Sequence, residues 1–162
     1  MKLSVDINAP SALWRKLPRA RTLARETVAA CAAESGLEAA DRAEVSLLLT
    51  SDAEVRALNA RWRGEDKPTN VLSFPAASPS RLAESPTLGD IALAFETLAR
   101  EAGESGVPLA DHYRHLVAHG FLHLIGYDHQ TDEEAERMEA LERRVLTRLG
   151  VADPYADGTI RE

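Results

Sequence analysis

The sequence predicts a single α+β domain, a small mixed sheet of about four strands surrounded by about five helices, with its chemistry on a helix of the C-terminal half. Two observations carry the fold class. Short segments of period-2 alternation are interleaved with longer segments in which apolar residues recur at helical spacing. A length of 162 residues leaves room for one core, so residues 1–162 are read as one domain.

Leu3, Val5 and Ile7 alternate with Lys2, Ser4, Asp6 and Asn8, the signature of a half-buried strand ending before Pro10. Pro18 suits a first helical turn, and Leu23, Thr27, Val28 and Cys31 continue at helical spacing until Ser35-Gly36. Val45, Leu47 and Leu49 form a second strand. Ser51 with Glu54 then makes a capping box for a helix whose inner side is Val55, Leu58 and Trp62. Gly64 and Pro68 interrupt regular structure, and the run Val71 to Phe74, closed by Pro75, is a third strand.

Residues 75–87 hold Pro75, Pro79 and Pro86 and read as a long surface loop. Ile91 to Phe95 is a fourth strand that hardly alternates, as expected of one buried on both faces. A helix from about Thr97 to Glu104 stops at Ser105-Gly106. The next opens at Pro108 and carries Leu109, Tyr113, Leu116 and Gly120 to about Ile125, where Gly126 ends it. A second capping box, Thr131 with Glu134, opens the last helix. It buries Met138, Leu141, Val145 and Leu149 and shows Glu133, Arg137, Glu139 and Arg143 to solvent in i, i+4 pairs. The tail from Val151, with Pro154 and Gly158, is expected to be loosely held.

With 44% hydrophobic and 28% charged residues, the chain has too much apolar material for wholesale disorder. Its formal charge is −7, unevenly spread: residues 1–75 carry 11 basic and 10 acidic groups, residues 76–162 carry 8 and 16. That excludes a broad basic coat over duplex nucleic acid, and no DNA partner is expected. It leaves room for a local groove built from Arg61, Arg63 and Lys67 with the arginines Arg15, Arg19 and Arg21. Cys31, the only cysteine, has apolar neighbours, which suits a buried thiol in a reducing cytoplasm. Asp6 stands where a secretory signal needs an apolar core, and no run of about 18 apolar residues offers a membrane span. A cytoplasmic protein without membrane contact is the expectation.

All five histidines, His112, His115, His119, His123 and His129, fall within 18 residues. At about 100° per helical residue, His119 and His123 lie about 40° apart and present both imidazoles from one face. Gly126 then lets the chain turn so that His129 completes a tripod. Three imidazoles with an open fourth position describe a catalytic zinc site, because closed structural sites are rich in cysteine. Zinc, one per chain, is favoured, while nickel, cobalt, iron and copper also accept imidazole. Such a metal makes hydrolysis the natural reaction class. In the metalloprotease pattern H-E-x-x-H the second position is the general base, and here it is Gly120.

Other residues are weaker candidates. His115 either hydrogen-bonds beside the metal site or simply packs, and His112, near the helix start, reads as a surface residue. Asp66, Asp90 and Asp128 are candidate acceptors for the ligand imidazoles, and Asn70 is a turn residue. Arg63, read as lying in a loop with Arg61 and Lys67, could grip a phosphate bidentately or offset charge in the transition state.

The segment HGFLHLIGYDH, His119 to His129, resembles the signature of the YbeY family of bacterial metal-dependent endoribonucleases. LNARWRGEDKPTNVLSFP from Leu58 to Pro75, LGDIALA from Leu88 to Ala94, and DPY from Asp153 to Tyr155 are similar to further blocks of that family. The resemblance implies a small mixed sheet surrounded by helices and zinc held by His119, His123 and His129. It also implies a functional arginine at Arg63. The implied activity is single-strand-specific cleavage of RNA in 3′-end maturation of small-subunit ribosomal RNA and in ribosome quality control, with ribosomal particles or proteins as partners. Two other readings stay open: a ribosome-binding assembly factor whose metal is mainly structural, and a metal-dependent hydrolase of another substrate class, such as peptides. The nucleophile, activated water or an RNA hydroxyl, is also open.

Overall fold

The computed structural model describes residues 3–40 and 42–156. In chain order the elements are β1 (Ser4–Asn8), a 3-10 turn (Ala12–Lys16), α1 (Ala20–Ser35), β2 (Glu44–Thr50), α2 (Asp52–Arg63), β3 (Val71–Pro75), a second 3-10 turn (Pro79–Glu84), β4 (Thr87–Ala94), α3 (Phe95–Ser105), α4 (Leu109–Leu124) and α5 (Asp132–Arg148). The α+β class, the four strands and the five main helices are as the sequence predicts.

Spatial strand order is β1-β2-β4-β3. β1 and β4 both run parallel to β2, and β3 pairs antiparallel with β4, so β3 is an edge strand. Alternation along β4 sorts the two faces. Ile91 and Leu93 join the main core with Val28 of α1, Phe121 of α4 and Val145 of α5. Ala92 and Ala94 turn the other way, into a smaller cluster with Val55 of α2 and Leu72.

Several boundaries differ from the expectation for local reasons. The segment before α1 is a 3-10 turn capped by Ser11, and it buries Trp14, whose indole N–H donates to the Thr50 carbonyl at 2.9 Å. The Trp14 ring meets Phe95 and Tyr113 edge-on, at 5.2 and 5.4 Å between centroids. Part of the 75–87 loop is ordered as the second 3-10 turn, which buries Leu82. β4 begins at Thr87, and Phe95 already opens α3. Trp62, expected on the inner side of α2, is 64% exposed: α2 covers only part of the sheet, and Trp62 lies at the rim of the open remainder. The tail is docked at its start, with Val151 and Tyr155 buried; Gly158 lies outside the described residues.

α4 is buried on nearly every side, and Gly120 lets it approach the sheet. A Cβ on Gly120 would stand 2.9 Å from Ile91 Cγ2 and 3.2 Å from both Ser73 Oγ and Val71 Cγ2. The Ser73 hydroxyl donates to the Gly120 carbonyl at 2.9 Å, fastening β3 to α4. The position that carries a glutamate in metalloprotease helices is therefore filled here by the sheet. Gly120→Glu, which writes H-E-x-x-H into the sequence, is expected to cost at least about 3 kcal/mol through overpacking and a buried charge. Denaturant unfolding checks this, and a variant as stable as the parent would refute the close approach.

Candidate metal centre

His119 and His123 stand one turn apart on α4 and face each other edge to face, 4.5 Å between ring centroids. Gly126, at φ +106°, turns the chain after the helix, and His129 comes back with its ring 5.7 Å from His119 and 5.1 Å from His123. One ring nitrogen from each of the three lies within 4.8 Å of the others, so the predicted tripod is assembled. The Asp128 carboxylate accepts the His129 backbone N–H at 2.8 Å and shapes that turn.

The donor set fits a cation. His123 Nδ1 faces the Tyr127 carbonyl at 2.9 Å, and His119 Nδ1 faces Glu142 Oε2 at 3.4 Å. The Tyr127 carbonyl is an acceptor, which puts the His123 ring proton on Nδ1 and its lone pair on Nε2, while Glu142 stands at ion-pair distance from His119. The two Nε2 atoms approach to 3.0 Å, a distance bridged by a shared proton or by a shared cation. Burial first, then the neighbouring His119 and His129 rings, hold His123 down to about 4, so its imidazole is neutral and ready to ligate at pH 7. The Cys31 thiol lies fully buried in the core, and that burial pushes it up out of any reactive range.

The tripod opens on a cleft of about 890 Å³ that runs along the outer edge of β3. The α2–β3 connection, with Lys67 and Asn70, forms one wall, and the turn from Gly126 to Gln130 forms the other. Arg63 also lines it. It is the last residue of α2 rather than a loop residue. Its guanidinium donates to the Ser73 carbonyl on the free edge of β3 and lies 5.5 Å from the Phe74 ring centroid.

The remaining candidates are dispersed. Arg61 lies over the Trp62 ring, 5.2 Å from its centroid, and does not line the cleft. Lys67 does, 3.5 Å from Glu65. Asp66 pairs with Arg56 at 2.8 Å, away from the imidazoles. Asp90 is removed from the metal side altogether, because the alternation of β4 turns it to the α2 face beside Asp6 and Trp62. His112 is not on the surface: it is buried, with Nε2 2.9 Å from Glu101, which also accepts from Asn70. His115 is buried with Nε2 3.0 Å from Glu142. Arg15, Arg19 and Arg21 lie outside the cleft lining.

Glu142 is the residue that sequence reasoning missed. It is 1% exposed on α5 and touches both His115 and His119. A signal was available, since Glu142 falls between Leu141 and Val145 on the stripe that the helix buries.

The family model for Endoribonuclease YbeY matches residues 12–150. The chain belongs to the YbeY family. The YbeY relative from Methylocella silvestris, Endoribonuclease YbeY, is 50% identical over 157 residues, 97% of this chain and 88% of its own. The relative of the same name from Rhodopseudomonas palustris strain BisA53 is 54% identical over 147 residues, 89% of this chain and 85% of its own. The solution structure of TM1509 from Thermotoga maritima shares the fold, with a TM-score of 0.54 at 24% identity over 97% of this chain and 99% of that one.

The depressed His123 value gives this YbeY chain a pH-dependent stability. Unfolding returns His123 to the ordinary imidazole range near 6.5, so between about pH 7 and 4 the unfolded chain binds a proton that the folded chain refuses. The contribution is complete above that range and shrinks as pH falls. Glu101 adds to it lower down: although burial pushes it up, hydrogen bonds from His112 and Asn70 outweigh that and hold its carboxyl below the usual range. The metal-free protein is expected to melt lower at pH 5 than at pH 7, and His123→Gln to show a smaller drop. Scanning calorimetry of both would contradict the assignment if the two drops were equal.

Proposed function

We propose that this chain is a zinc-dependent, single-strand-specific endoribonuclease that hydrolyses RNA phosphodiester bonds in 3′-end maturation of small-subunit ribosomal RNA and in ribosome quality control. The observation that carries the reading is the convergence of His119, His123, His129 and Arg63 on one cleft at an open sheet edge. Relatives about half identical in sequence and named Endoribonuclease YbeY support it.

His119, His123 and His129 would hold the zinc. When bound there, it supplies Lewis acidity toward a phosphoryl oxygen and activates water for hydrolysis. Arg63 has its guanidinium fixed by the Ser73 carbonyl and the Phe74 ring, which leaves further N–H groups to grip a phosphate in a set orientation. Lys67, on the same wall, draws the backbone of the strand into the cleft. Asn59 donates to the Lys67 carbonyl at 3.0 Å and fixes that wall. The cleft has the volume of a small-ligand pocket, a size for a short stretch of single strand.

Arg63 and Lys67 share their wall with Glu65 and face Asp128 across the opening, so RNA binding is weak and salt-sensitive, and ribosomal particles or ribosomal proteins present the substrate. No helix among the described residues is long and apolar enough to cross a membrane.

Elemental analysis and cleavage of a defined unstructured RNA, made on the same preparations, test this. Wild type is expected to carry one zinc per chain and to cleave, and His123→Ala to lose both metal and cleavage. Arg63→Ala should keep the metal and lose about 10²- to 10³-fold in rate, the usual cost of removing a transition-state charge partner. Undiminished cleavage by His123→Ala, or by chelator-stripped wild type, would end the nuclease reading. A ribosome-binding factor would instead retain particle binding with no zinc-dependent cleavage.

A further inference from the structure

Glu142 is an anomaly on energetic grounds. An ionisable carboxylate that is 1% exposed in the apolar stripe of α5 is costly unless its oxygens are fully engaged. Here they are. Oε1 accepts from the Tyr155 hydroxyl at 3.1 Å, and Oε2 faces His115 Nε2 at 3.0 Å and His119 Nδ1 at 3.4 Å. The Tyr155 hydroxyl also stands 3.2 Å from His115 Nε2, closing a buried triangle.

Tyr155 is delivered by the Asp153-Pro154-Tyr155 turn, which the zinc and the cleft leave without a role. Asp153 Oδ1 accepts the Tyr155 backbone N–H at 2.8 Å, and Asp153 Oδ2 lies 3.3 Å from Arg143 Nε. The Arg143 guanidinium in turn lies over the Tyr155 ring, 5.4 Å from its centroid. Every part of this turn serves to seat one phenol against one carboxylate.

We propose that Glu142 is a positioning residue for the metal centre. It holds the His119 ring in orientation and keeps its proton on Nδ1, while His115 and Tyr155 hold Glu142. The inference rests on the reading of His119, His123 and His129 as metal ligands. A carboxylate on the far nitrogen of a ligating imidazole fixes the tautomer, raises the basicity of the ligating nitrogen and removes the freedom of the ring to rotate away. His123 obtains the same service from the Tyr127 carbonyl, a neutral and weaker acceptor. The charged acceptor gives His119 a basicity that a neutral carbonyl does not give His123. The Asp153-Pro154-Tyr155 turn thereby supports the metal site through Glu142.

Zinc affinity measured by competition with a chromophoric chelator, on full-length folded protein, tests this. Glu142→Gln keeps the shape and removes the charge, and a 10- to 100-fold weaker zinc affinity is expected. Tyr155→Phe removes one hydroxyl and should weaken zinc binding by a smaller factor in the same direction. In both variants the visible ligand-field bands of the cobalt-loaded protein should shift, a signature that a purely structural role would leave in place. His129→Ala is the control: it must lose metal affinity if the tripod is the site. Folded Glu142→Gln with wild-type zinc affinity and an unchanged cobalt spectrum, beside a metal-deficient His129→Ala, would overturn the positioning role and leave the metal site intact. Should Glu142→Gln fail to fold, wild-type affinity and spectrum in Tyr155→Phe would overturn it equally. If wild type itself binds no zinc, or His129→Ala binds as wild type does, the metal reading falls and this inference falls with it.

Discussion

α4 is buried between the sheet and the other helices, yet four of its sixteen residues are histidines. A buried imidazole is costly unless at least one ring nitrogen finds a polar partner or a metal. That requirement organises the structure around it. Glu101 of α3 meets His112, Glu142 of α5 meets His115 and His119, and the Tyr127 carbonyl meets His123. The two carboxylates come from helices that also pack against α4, and the carbonyl from the turn that ends it. The polar contacts and the apolar ones therefore fix the same register, and the helix delivers His119 and His123 to the cleft in one orientation.

The other side of the cleft depends on an edge. Because β3 pairs only with β4, its outer carbonyls are free of the sheet, and Arg63 takes one of them at Ser73. The Ser73 hydroxyl points inward to the Gly120 carbonyl, one residue from His119. One residue thus ties the guanidinium that would hold a phosphate to the helix that would hold the metal. An edge strand is ordinarily a liability for aggregation. Here the edge is short, ends in Pro75 and has its groove occupied by charged side chains.

The sequence reveals most of what local chemistry controls. Capping boxes at Ser51 and Thr131 place the starts of two helices, and both side chains accept the expected backbone N–H. The i, i+4 spacing with a glycine break brings His119, His123 and His129 together. What stays hidden is set by tertiary register. Asp90 lies in a strand that packs under the metal helix but on the wrong face of it, which alternation alone cannot reveal without knowing which face α4 covers. Trp62 follows the helical stripe of α2 past the end of the surface that could bury it. His112 reads as a surface residue because its partner, Glu101, lies on a different helix. Glu142 sits inside an apolar stripe, where a charge reads as noise until the imidazoles opposite it are known.

The net charge of −7 argues against nucleic acid only while it is treated as a property of the whole surface. α5 carries six acidic residues, three of them in its first turn, against four basic ones. One of those carboxylates, Glu142, faces inward and works on the metal side of the protein. Asp128 and Glu65 border the cleft itself beside Arg63 and Lys67, so its walls carry charges of both signs. A divalent ion at the tripod would reverse the local sign, because two positive charges close to the cleft outweigh its near-balanced walls. Attraction of the cleft for a phosphodiester is then conditional on the metal, and a metal-free chain would release its RNA. Under the proposed reading, binding and catalysis would both answer to the same three imidazoles, and added salt would weaken the cleft's hold on a phosphodiester.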